Sequence, residues 1–432
     1  MANKKYVTLL FTLIASFLSA QGNVSAVRVL TLEEACRLAE QNSISLQKQA
    51  IDLEIDRIGA KSLWAQVFPS INAIGRADYD IPLNSDTARN DPSYTARLQL
   101  SLNLSAGLPL TMANISLAYK NSLLNYEQAR RVLVNETSKT FFSLLAQKNY
   151  LTVLEGTMRL AAEQLERDRI GRQSGFVGEL DFLSAQVSAE RAKLNYNRAR
   201  SDYRNALGKF FTALGLAQDE EPNLQGNLEI KKLSLDSQAL INERLARRPD
   251  MMVQRNEVQR LKNARTESFL SARGPTVNFT AAWGASLKNG MDDLANAGVS
   301  VTIPIDSWVP GTKAAQAVKR SGGEYQKAQL ELQNMENNAR QEIRSFTDSI
   351  SYTWTEVEIA RLQAGYAQRA YELAEQFYRR GTMNFLDFET ARNRLTDARQ
   401  QVLQSELNYK ILVLDLASSL SMDEGELLRY SK

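Results

Sequence analysis

The sequence predicts a mixed α/β membrane protein: each chain gives four strands to a trimeric 12-stranded β-barrel, which long helices continue as a coiled-coil barrel. Three observations lead to this prediction. Two segments in each half alternate apolar and polar residues, the helical segments carry apolar residues every seven positions, and the order recurs 206 residues later, as from Pro69 to Pro275. The repeat indicates one object built from two halves.

Composition excludes several classes of function. The 432 residues include 52 Lys and Arg, 49 Asp and Glu, one cysteine and no histidine. Histidine-based catalysis, histidine-ligated metal sites and an intrachain disulfide are therefore excluded, and the near-neutral charge gives no support for nucleic-acid binding. We also find no glycine-rich phosphate loop or metal-ligand cluster in the sequence, so we expect no enzyme activity, catalytic site, metal or cofactor.

The N-terminus is typical of an export signal. Two lysines precede an apolar run from Val7 to Leu18, and Val24-Ser25-Ala26 offers small residues for cleavage. The alternative is a membrane anchor, but the run is shorter than the ~20 residues of a membrane-spanning helix. We expect residues 1–26 to be removed, and the acidic residues before Cys36 make lipid attachment there unexpected.

The first structural repeat is predicted over residues 27–217. In chain order its elements are a helix from Thr31 to near Val67, strands Ile71–Ile81 and Tyr94–Leu104 around a polar loop Pro82–Pro92, a long helix ending near Arg172, and a helix over Phe182–Ala213. Thr31 and Glu34 have the spacing of a capping box. Each strand alternates strictly, with one apolar and one mostly polar face.

Heptad seams define the long helices. Every seventh residue from Phe182 is apolar, and the companion seam that starts at Ala185 consists of alanines. A seven-residue repeat keeps one seam against a partner helix, and alanine lets the two backbones approach closely. We therefore expect tight lateral packing of long helices around a polar lumen.

The second structural repeat is predicted over residues 237–421. Its elements are a helix from near Ser237 to about Ala272, strands Thr276–Trp283 and Ala297–Ile305 around a polar loop Lys288–Asn296, a long helix after Gly311, and a helix whose seam begins at Phe388. Residues 218–236 are rich in Pro, Gly, Asn and acids and are predicted as a connector. Residues 422–432 are predicted as a short polar tail.

Four amphipathic strands cannot form a closed membrane structure alone. The smallest membrane barrels have about eight strands, and an open strand edge cannot face lipid. Three chains would supply enough strands, so we predict a homotrimer in contact with outer-membrane lipid. The alternative is a soluble sandwich with one buried face, but the flanking helices are too long to fold back over so small a sheet.

Several short motifs resemble the TolC family of outer-membrane efflux and secretion channels, and the likeness covers nearly all of the chain after the signal segment. The motifs are Leu32-Glu33-Glu34-Ala35, Arg247-Arg248-Pro249-Asp250, and the turn segments Gly175–Phe182 and Tyr378–Phe388. Both turns place glycine six residues before an aspartate, at the same offset of 206. The resemblance implies a passive exit duct that works with a periplasmic adaptor protein and an inner-membrane transporter.

The resemblance also implies roles for the turn residues. Gly175, Phe176, Gly381 and Thr382 match the surface where the family docks its adaptor. The alternative is that these are only turn residues, because glycine permits the positive φ of a tight helix–helix turn.

The resemblance implies a gate beside these turns. Asp181 and Tyr378 match a pair in the family's closed constriction, and Asp387 matches an acidic ring that favours cations. The alternative for both aspartates is a role at the positive end of a helix dipole. Two departures leave the latch of the closed state open: Met383 stands where the TolC pattern has an arginine, and Thr390 stands where it has a second aspartate.

The function implied is a duct across the periplasm and the outer membrane, gated at its periplasmic tip, for drug efflux or type I secretion. The alternative is a non-channel structural coiled-coil protein of the cell envelope. That alternative accounts for the heptads but not for four alternating strands at matching places in both halves. The sequence names no cargo and no particular transporter.

Overall fold

The computed structural model describes residues 29–79, 93–216, 223–287 and 291–431, so the predicted signal segment 1–26 and the loop Pro82–Pro92 lie outside the described residues. The helices are α1 (Leu32–Asn42), α2 (Ile44–Lys61), α3 (Leu108–Gln173), α4 (Glu179–Ala213), α5 (Ser237–Arg244), α6 (Pro249–Arg273), α7 (Lys313–Arg379), α8 (Phe385–Ser419) and α9 (Glu424–Leu427). The strands are β1 (Val29–Leu30), β2 (Ser70–Asp78), β3 (Ser93–Ser105), β4 (Asn223–Leu224), β5 (Thr276–Leu287) and β6 (Met291–Thr302). No helix in these ranges is long and apolar enough to cross a membrane.

Two compact units divide the chain, and each takes segments from both halves of the repeat. The first unit comprises the described residues of Met1–Asn42, Thr137–Glu229 and Ala360–Leu407. The second unit comprises the described residues of Ser43–Glu136, Ile230–Ile359 and Asn408–Lys432, and it contains the four-stranded sheet. The long helices α3 and α7 contribute residues to both units.

The sheet of the second unit has the strand order β2-β3-β5-β6, and every neighbouring pair is antiparallel. Its central pair, β3 and β5, joins the two halves of the repeat. The strands are 9 to 13 residues long. A tilted strand needs about 9–11 residues to cross the hydrocarbon of a bilayer. The prediction of four amphipathic strands is confirmed.

The predicted bounds of the second hairpin are wrong. The stretch Lys288–Asn296 is predicted as a loop, but β6 already begins at Met291, and β5 continues past the predicted end at Trp283 to Leu287. Strand pairing uses backbone N–H and C=O groups, so the polar side chains of this stretch do not prevent it.

The far end of β6 also differs from the prediction. β6 ends at Thr302 instead of Ile305. Pro304 has no N–H to donate to a strand ladder, which explains the earlier end. β2 runs to Asp78, and its predicted end at Ile81 lies outside the described residues.

Two helices that the sequence predicts as continuous are divided. At Ser43 the backbone is extended and the side-chain Oγ accepts the N–H of Leu46, so the new helix α2 begins there. Arg248 is also extended, because a proline disfavours the helical conformation of the residue before it. Pro249 then begins α6, where the missing N–H has no intrahelical partner to lose.

The heptad seams form a separate core in each unit. The core of the second unit includes Ile343, Ile350 and Val357 of α7 with Tyr409 and Leu416 of α8. The core of the first unit includes Ala185 of α4, Tyr371 of α7, and Phe385, Phe388 and Leu395 of α8. Most residues of the α7 and α8 seams therefore lie in the core, as the periodicity predicts, whereas the α4 seam that starts at Phe182 is only partly buried until Phe210.

A set of amides, which we call the amide ladder, pairs α3 with α6 in the second unit. The Nδ2 of Asn263 donates to Oδ1 of Asn114 at 3.0 Å, and the Nδ2 of Asn256 donates to Oδ1 of Asn121 at 2.8 Å. The two pairs lie seven residues apart on both helices. Polar residues at single seam positions fix the register of packed helices.

The predicted connector and tail make specific contacts where they are described. β4 pairs in parallel with β1, and the hydroxyl of Tyr409 accepts the N–H of Leu233 and donates to the carbonyl of Lys231. The tail is predicted as polar, but Met422 and Leu427 are buried in the core of the second unit. Their apolar side chains hold the end of the chain in place.

Candidate functional site

One face of the sheet is apolar across all four strands. Paired residues of adjacent strands share a face. The register runs Ile71, Leu100, Ala281, Ala297 in one row and Leu102, Phe279, Val299 in another. We call this surface the apolar sheet face; its large exposed members are Ile71, Leu98, Leu100, Phe279, Trp283, Val299 and Val301. A contiguous exposed apolar face of this kind marks a surface for a membrane or a protein partner.

The opposite face of the sheet is polar. The same register places Asn103, Asn278 and Ser300 in one row across β3, β5 and β6. Alternation therefore separates an apolar side from a polar side over the whole sheet, as in a strand that meets lipid on one side and water on the other.

Two helix–helix turns of the first unit contain the predicted docking residues. Gly175 has φ +75° and Gly381 has φ +72°, in the left-handed region that glycine adopts without steric cost. The N–H of Gly175 donates to the carbonyl of Arg172 and that of Phe176 to Gly171. These two bonds close a Schellman motif, which satisfies the last carbonyls of α3.

The second turn repeats this motif at the end of α7. The N–H of Gly381 donates to the carbonyl of Tyr378, and the N–H and the side-chain hydroxyl of Thr382 both donate to the carbonyl of Phe377. The positive φ predicted for both glycines is therefore present. Both turns project apolar side chains into solvent: Phe176 is 89% exposed, Leu180 77% and Leu386 70%.

Aromatic rings pack behind the second turn. The ring of Tyr378 stacks on Phe388 with centroids 5.0 Å apart and planes 9° apart, and Phe385 meets Tyr378 edge-on at 6.0 Å. Met383 packs against the same cluster. An apolar contact therefore occupies the position where the TolC pattern has an arginine.

The hydroxyl of Tyr378 donates to Oδ1 of Asp168 at 3.2 Å, and not to the predicted partner Asp181. Asp168 lies on α3 and is only 3% exposed, and Gln164 also donates to its Oδ1, at 2.7 Å. Its Oδ2 has no hydrogen-bond partner among the described residues. This bond ties α7 to α3 beside both turns.

Burial raises the pKa of Asp168, and the negative charge of Asp181 raises it further. Burial, followed by the charges of Asp168 and Asp181, raises the pKa of Tyr378. Asp181 therefore acts on this pair through its charge. A buried carboxylate that lacks one partner favours its protonated form.

Asp181 and Asp387 occupy equivalent places in the first turns of α4 and α8. Asp387 is exposed, and its backbone N–H donates to Oδ1 of Asn384 at 2.8 Å. Both carboxylates lie where the helix dipole favours negative charge, so this role accounts for their position within one chain.

Sequence reasoning missed Asp168 and Arg392. Asp168 falls seven residues after Ala161 and fourteen after Leu154, both buried seam positions, so an acid in an apolar seam was the available signal.

Arg392 of α8 is buried, and its Nη2 donates to Oγ of Ser188 on α4. Burial lowers the pKa of Arg392. Its Nε has no partner among the described residues.

A family model and a known outer membrane protein match the chain in sequence. A family model described as outer membrane efflux protein matches residues 35–216 and 240–421. The outer membrane protein TolC of Escherichia coli K12 is 20% identical over 434 residues, which cover 95% of this chain and 86% of TolC.

Two solved structures of outer-membrane channels resemble the chain. The CmeC outer membrane channel of Campylobacter jejuni has a TM-score of 0.76 at 20% identity, and the match covers 93% of this chain and 90% of CmeC. The open state of the MtrE outer membrane channel of Neisseria gonorrhoeae has a TM-score of 0.75 at 18% identity, with 93% and 94% covered. The chain shares the fold of these two channels.

Proposed function

The chain belongs to the outer membrane efflux protein family, and from that premise we propose that it is the passive exit duct of a three-part export machine. Members of this family are transport channels and not enzymes. The observation that carries the proposal is the apolar sheet face, which is in register across four strands and exposed in the single chain. An inner-membrane transporter would supply the energy, and a periplasmic adaptor would connect it to the duct.

We propose that three copies close the sheet into a barrel in the outer membrane. In the single chain β2 and β6 each pair on one side only, which leaves backbone groups open at both edges. Unpaired backbone groups are too costly in hydrocarbon, and four strands are too few to close. A homotrimer with four strands per chain reaches twelve. The helices would extend into the periplasm, with the signal segment removed and no lipid attached.

We propose that the two turns form the periplasmic gate. Tyr378 and Asp168 tie α7 to α3, and Arg392 and Ser188 tie α8 to α4, which supports a closed tip that opens by breaking these bonds. Threefold repetition would set the exposed Asp387 in an acidic ring that favours cations. Thr390 donates to the carbonyl of Leu386 and adds no charge there.

The exposed side chains at the turns support an adaptor surface. Phe176 and Leu180 at the first turn and Leu386 at the second are exposed where the turns join the helices. Gly175 and Gly381 set the direction of both turns, and Thr382 locks the second to the end of α7. We propose that the adaptor covers this surface, because large exposed apolar side chains are typical anchors of protein interfaces.

Single-channel conductance of the purified mature protein in planar bilayers tests the proposal. We expect a small cation-selective conductance that loses selectivity in Asp387→Ala, because the ring would lose its charge. Asp348→Ala, which removes an exposed acid of α7 outside the turns, is the control and is expected to stay selective.

Two outcomes would contradict parts of this proposal. Unchanged selectivity in Asp387→Ala would leave that residue with a helix-dipole role only. A folded trimer without conductance, even when Tyr378→Phe is combined with Ser188→Ala to remove the two bonds that tie the helices together, would reject the duct and favour a structural coiled-coil protein.

A further inference from the structure

Arg273 at the end of α6 lies against two aromatic rings. Its guanidinium carbon is 4.8 Å from the ring centroid of Trp308 and 5.0 Å from that of Phe269. A cation within about 6 Å of a ring face is attracted by the negative charge of the π-system, most strongly by tryptophan. The two rings therefore hold the guanidinium in place without a hydrogen bond.

No carboxylate of the described chain lies within ion-pair distance of Arg273. Its Nε is enclosed and has no hydrogen-bond partner among the described residues. Other arginines of the same unit differ: Arg248 pairs with Asp250 and Glu342. Arginine has five donors and a fixed charge, so Arg273 is a cation whose charge no described residue neutralises.

The chain fixes this cation at the helical end of the sheet. α6 ends at Arg273 and β5 begins at Thr276, which pairs with Thr302 at the end of β6. The segment after β6 is fastened back onto α6, because the buried Oγ of Ser307 donates to the carbonyl of Ala272 at 2.6 Å. That bond positions Trp308 over Arg273.

Large apolar side chains surround the cation on the outside. Trp308 is 65% exposed and Ile305 is 75% exposed, and Val309 and Phe269 are exposed as well. Ile305 lies three residues after the end of β6, so this cluster lies at the end of the sheet. Tryptophan with a neighbouring basic residue is typical of the boundary between hydrocarbon and headgroups.

We propose that Arg273, Trp308 and Phe269 form a binding site for the phosphate of an anionic phospholipid in the leaflet at the helical end of the sheet. This inference rests on the proposed membrane span. The guanidinium would take the phosphate oxygens, for which its paired N–H donors are suited, and the rings and Ile305 would contact the glycerol and the first acyl carbons. A zwitterionic lipid binds more weakly, because its ammonium offsets the phosphate charge.

Lipid binding to the detergent-purified full mature protein tests this site. Phosphatidylglycerol and phosphatidylcholine with the same acyl chains are titrated separately, and bound lipid is counted by native mass spectrometry. We expect phosphatidylglycerol to bind about fivefold more tightly, the effect of about one basic residue on an anionic lipid. Arg273→Gln, which keeps length and polarity but removes the charge, is expected to abolish the difference.

Arg320→Gln is the matched control, since Arg320 is an exposed arginine of the same unit that already pairs with Glu324. It is expected to keep the fivefold preference. Equal binding of both lipids by the unaltered protein, or a preference that survives Arg273→Gln, would overturn the inference. Complete displacement by millimolar inorganic phosphate would overturn it in favour of a free-anion site.

A second measurement separates this inference from the proposed function. Lipids brominated along the acyl chain quench tryptophans that lie in hydrocarbon, so the Trp283→Phe variant reports whether the apolar sheet face is inserted in vesicles. Quenching that falls in Trp283→Phe, combined with no lipid preference, rejects the Arg273 site alone. If no lipid quenches the unaltered protein, the membrane span and the site fail together.

Discussion

The two turns of the first unit have the same backbone conformation, but different side chains pack behind them. Gly175 and Gly381, 206 positions apart, close the same pair of Schellman hydrogen bonds. Behind the second turn Phe388 is buried at 2% exposure and stacks on Tyr378. Its repeat counterpart Phe182 is only partly buried and meets the guanidinium carbon of Arg172 at 4.7 Å.

The helix that follows the second turn is also better capped than the helix that follows the first. α8 is capped by Asn384, whose Oδ1 accepts the N–H of Asp387. α4 is preceded by Gly178, which has no side chain to offer. Glycine thus specifies the direction of both turns, whereas aromatic packing and capping give rigidity to the second alone. We expect the first turn to open more easily.

The largest test of this comparison removes the ring behind each turn. Phe388→Ala is expected to lower the free energy of local opening by about 3–5 kcal/mol, because it leaves a cavity in a buried cluster. Phe182→Ala is expected to cost about 1 kcal/mol, the value of an exposed cation–π contact. Native-state hydrogen exchange of the turn amides measures both. Equal losses would contradict the difference in support.

A smaller effect is expected from the shared backbone. Gly175→Ala and Gly381→Ala should each cost about 1–2 kcal/mol, because a Cβ is disfavoured at positive φ. At neither site would a Cβ come within 4 Å of a neighbouring atom, so the cost is conformational and should be the same in both turns. Exchange of the amides that close each Schellman motif measures it. Costs that differ by more than the effect itself would show that the backbones are not equivalent.

The smallest expected effect concerns the bond between α3 and α7. The pKa of Asp168 is raised above its ordinary value of 3.8, so the folded tip binds a proton more readily than the opened tip. The free energy of local opening therefore rises as the pH falls from 7 through the pKa that Asp168 has in the folded state, towards 3.8. This stabilisation is lost as the pH rises through that folded-state pKa. Asp181 strengthens this response and Arg167 opposes it, while Gln164 and Tyr378 donate to the carboxylate.

Asp168→Asn removes the buried charge and keeps an oxygen that accepts from Gln164 and Tyr378. We expect it to abolish the pH response and to raise the free energy of local opening at pH 7 by about 1 kcal/mol. Hydrogen exchange at the ends of α3 and α7 between pH 4 and pH 7 measures both. Asp387→Asn, at an exposed acid, is the control and should keep the response. Destabilisation by Asp168→Asn at pH 7 would mean that the charge of Asp168 itself stabilises the contact between α3 and α7.

The spacing of apolar residues predicted most of the fold, because a helix or strand that is buried on one side has apolar residues at regular intervals. Ile343, Ile350 and Val357 are core residues for the reason that their spacing indicates, and the strands alternate because one face is apolar. The helix break at Ser43 and the early start of β6 are marked by no comparable pattern in the sequence. A serine in a helical pattern is common, and backbone pairing places no demand on the polar residues after Met291.

The candidate sites were predictable only in part. Gly175 and Gly381 were found because a positive φ requires a particular residue type. The partner of Tyr378 was assigned to Asp181 by resemblance, and Asp168 was missed because its contact depends on which helices are neighbours. Arg273 was missed for a related reason, since Trp308 reaches it from the segment after β6.

The amide ladder limits how α3 and α6 can move past each other. Asn114 and Asn121 meet Asn263 and Asn256 at a spacing of seven residues, so a slide by part of that distance separates both amide pairs. The next matching alignment lies one full heptad away, about 10 Å along the axis. The two helices can therefore match their amides only at widely spaced positions along the axis. Any opening motion that they share must be a joint tilt or twist, because small axial slips are blocked.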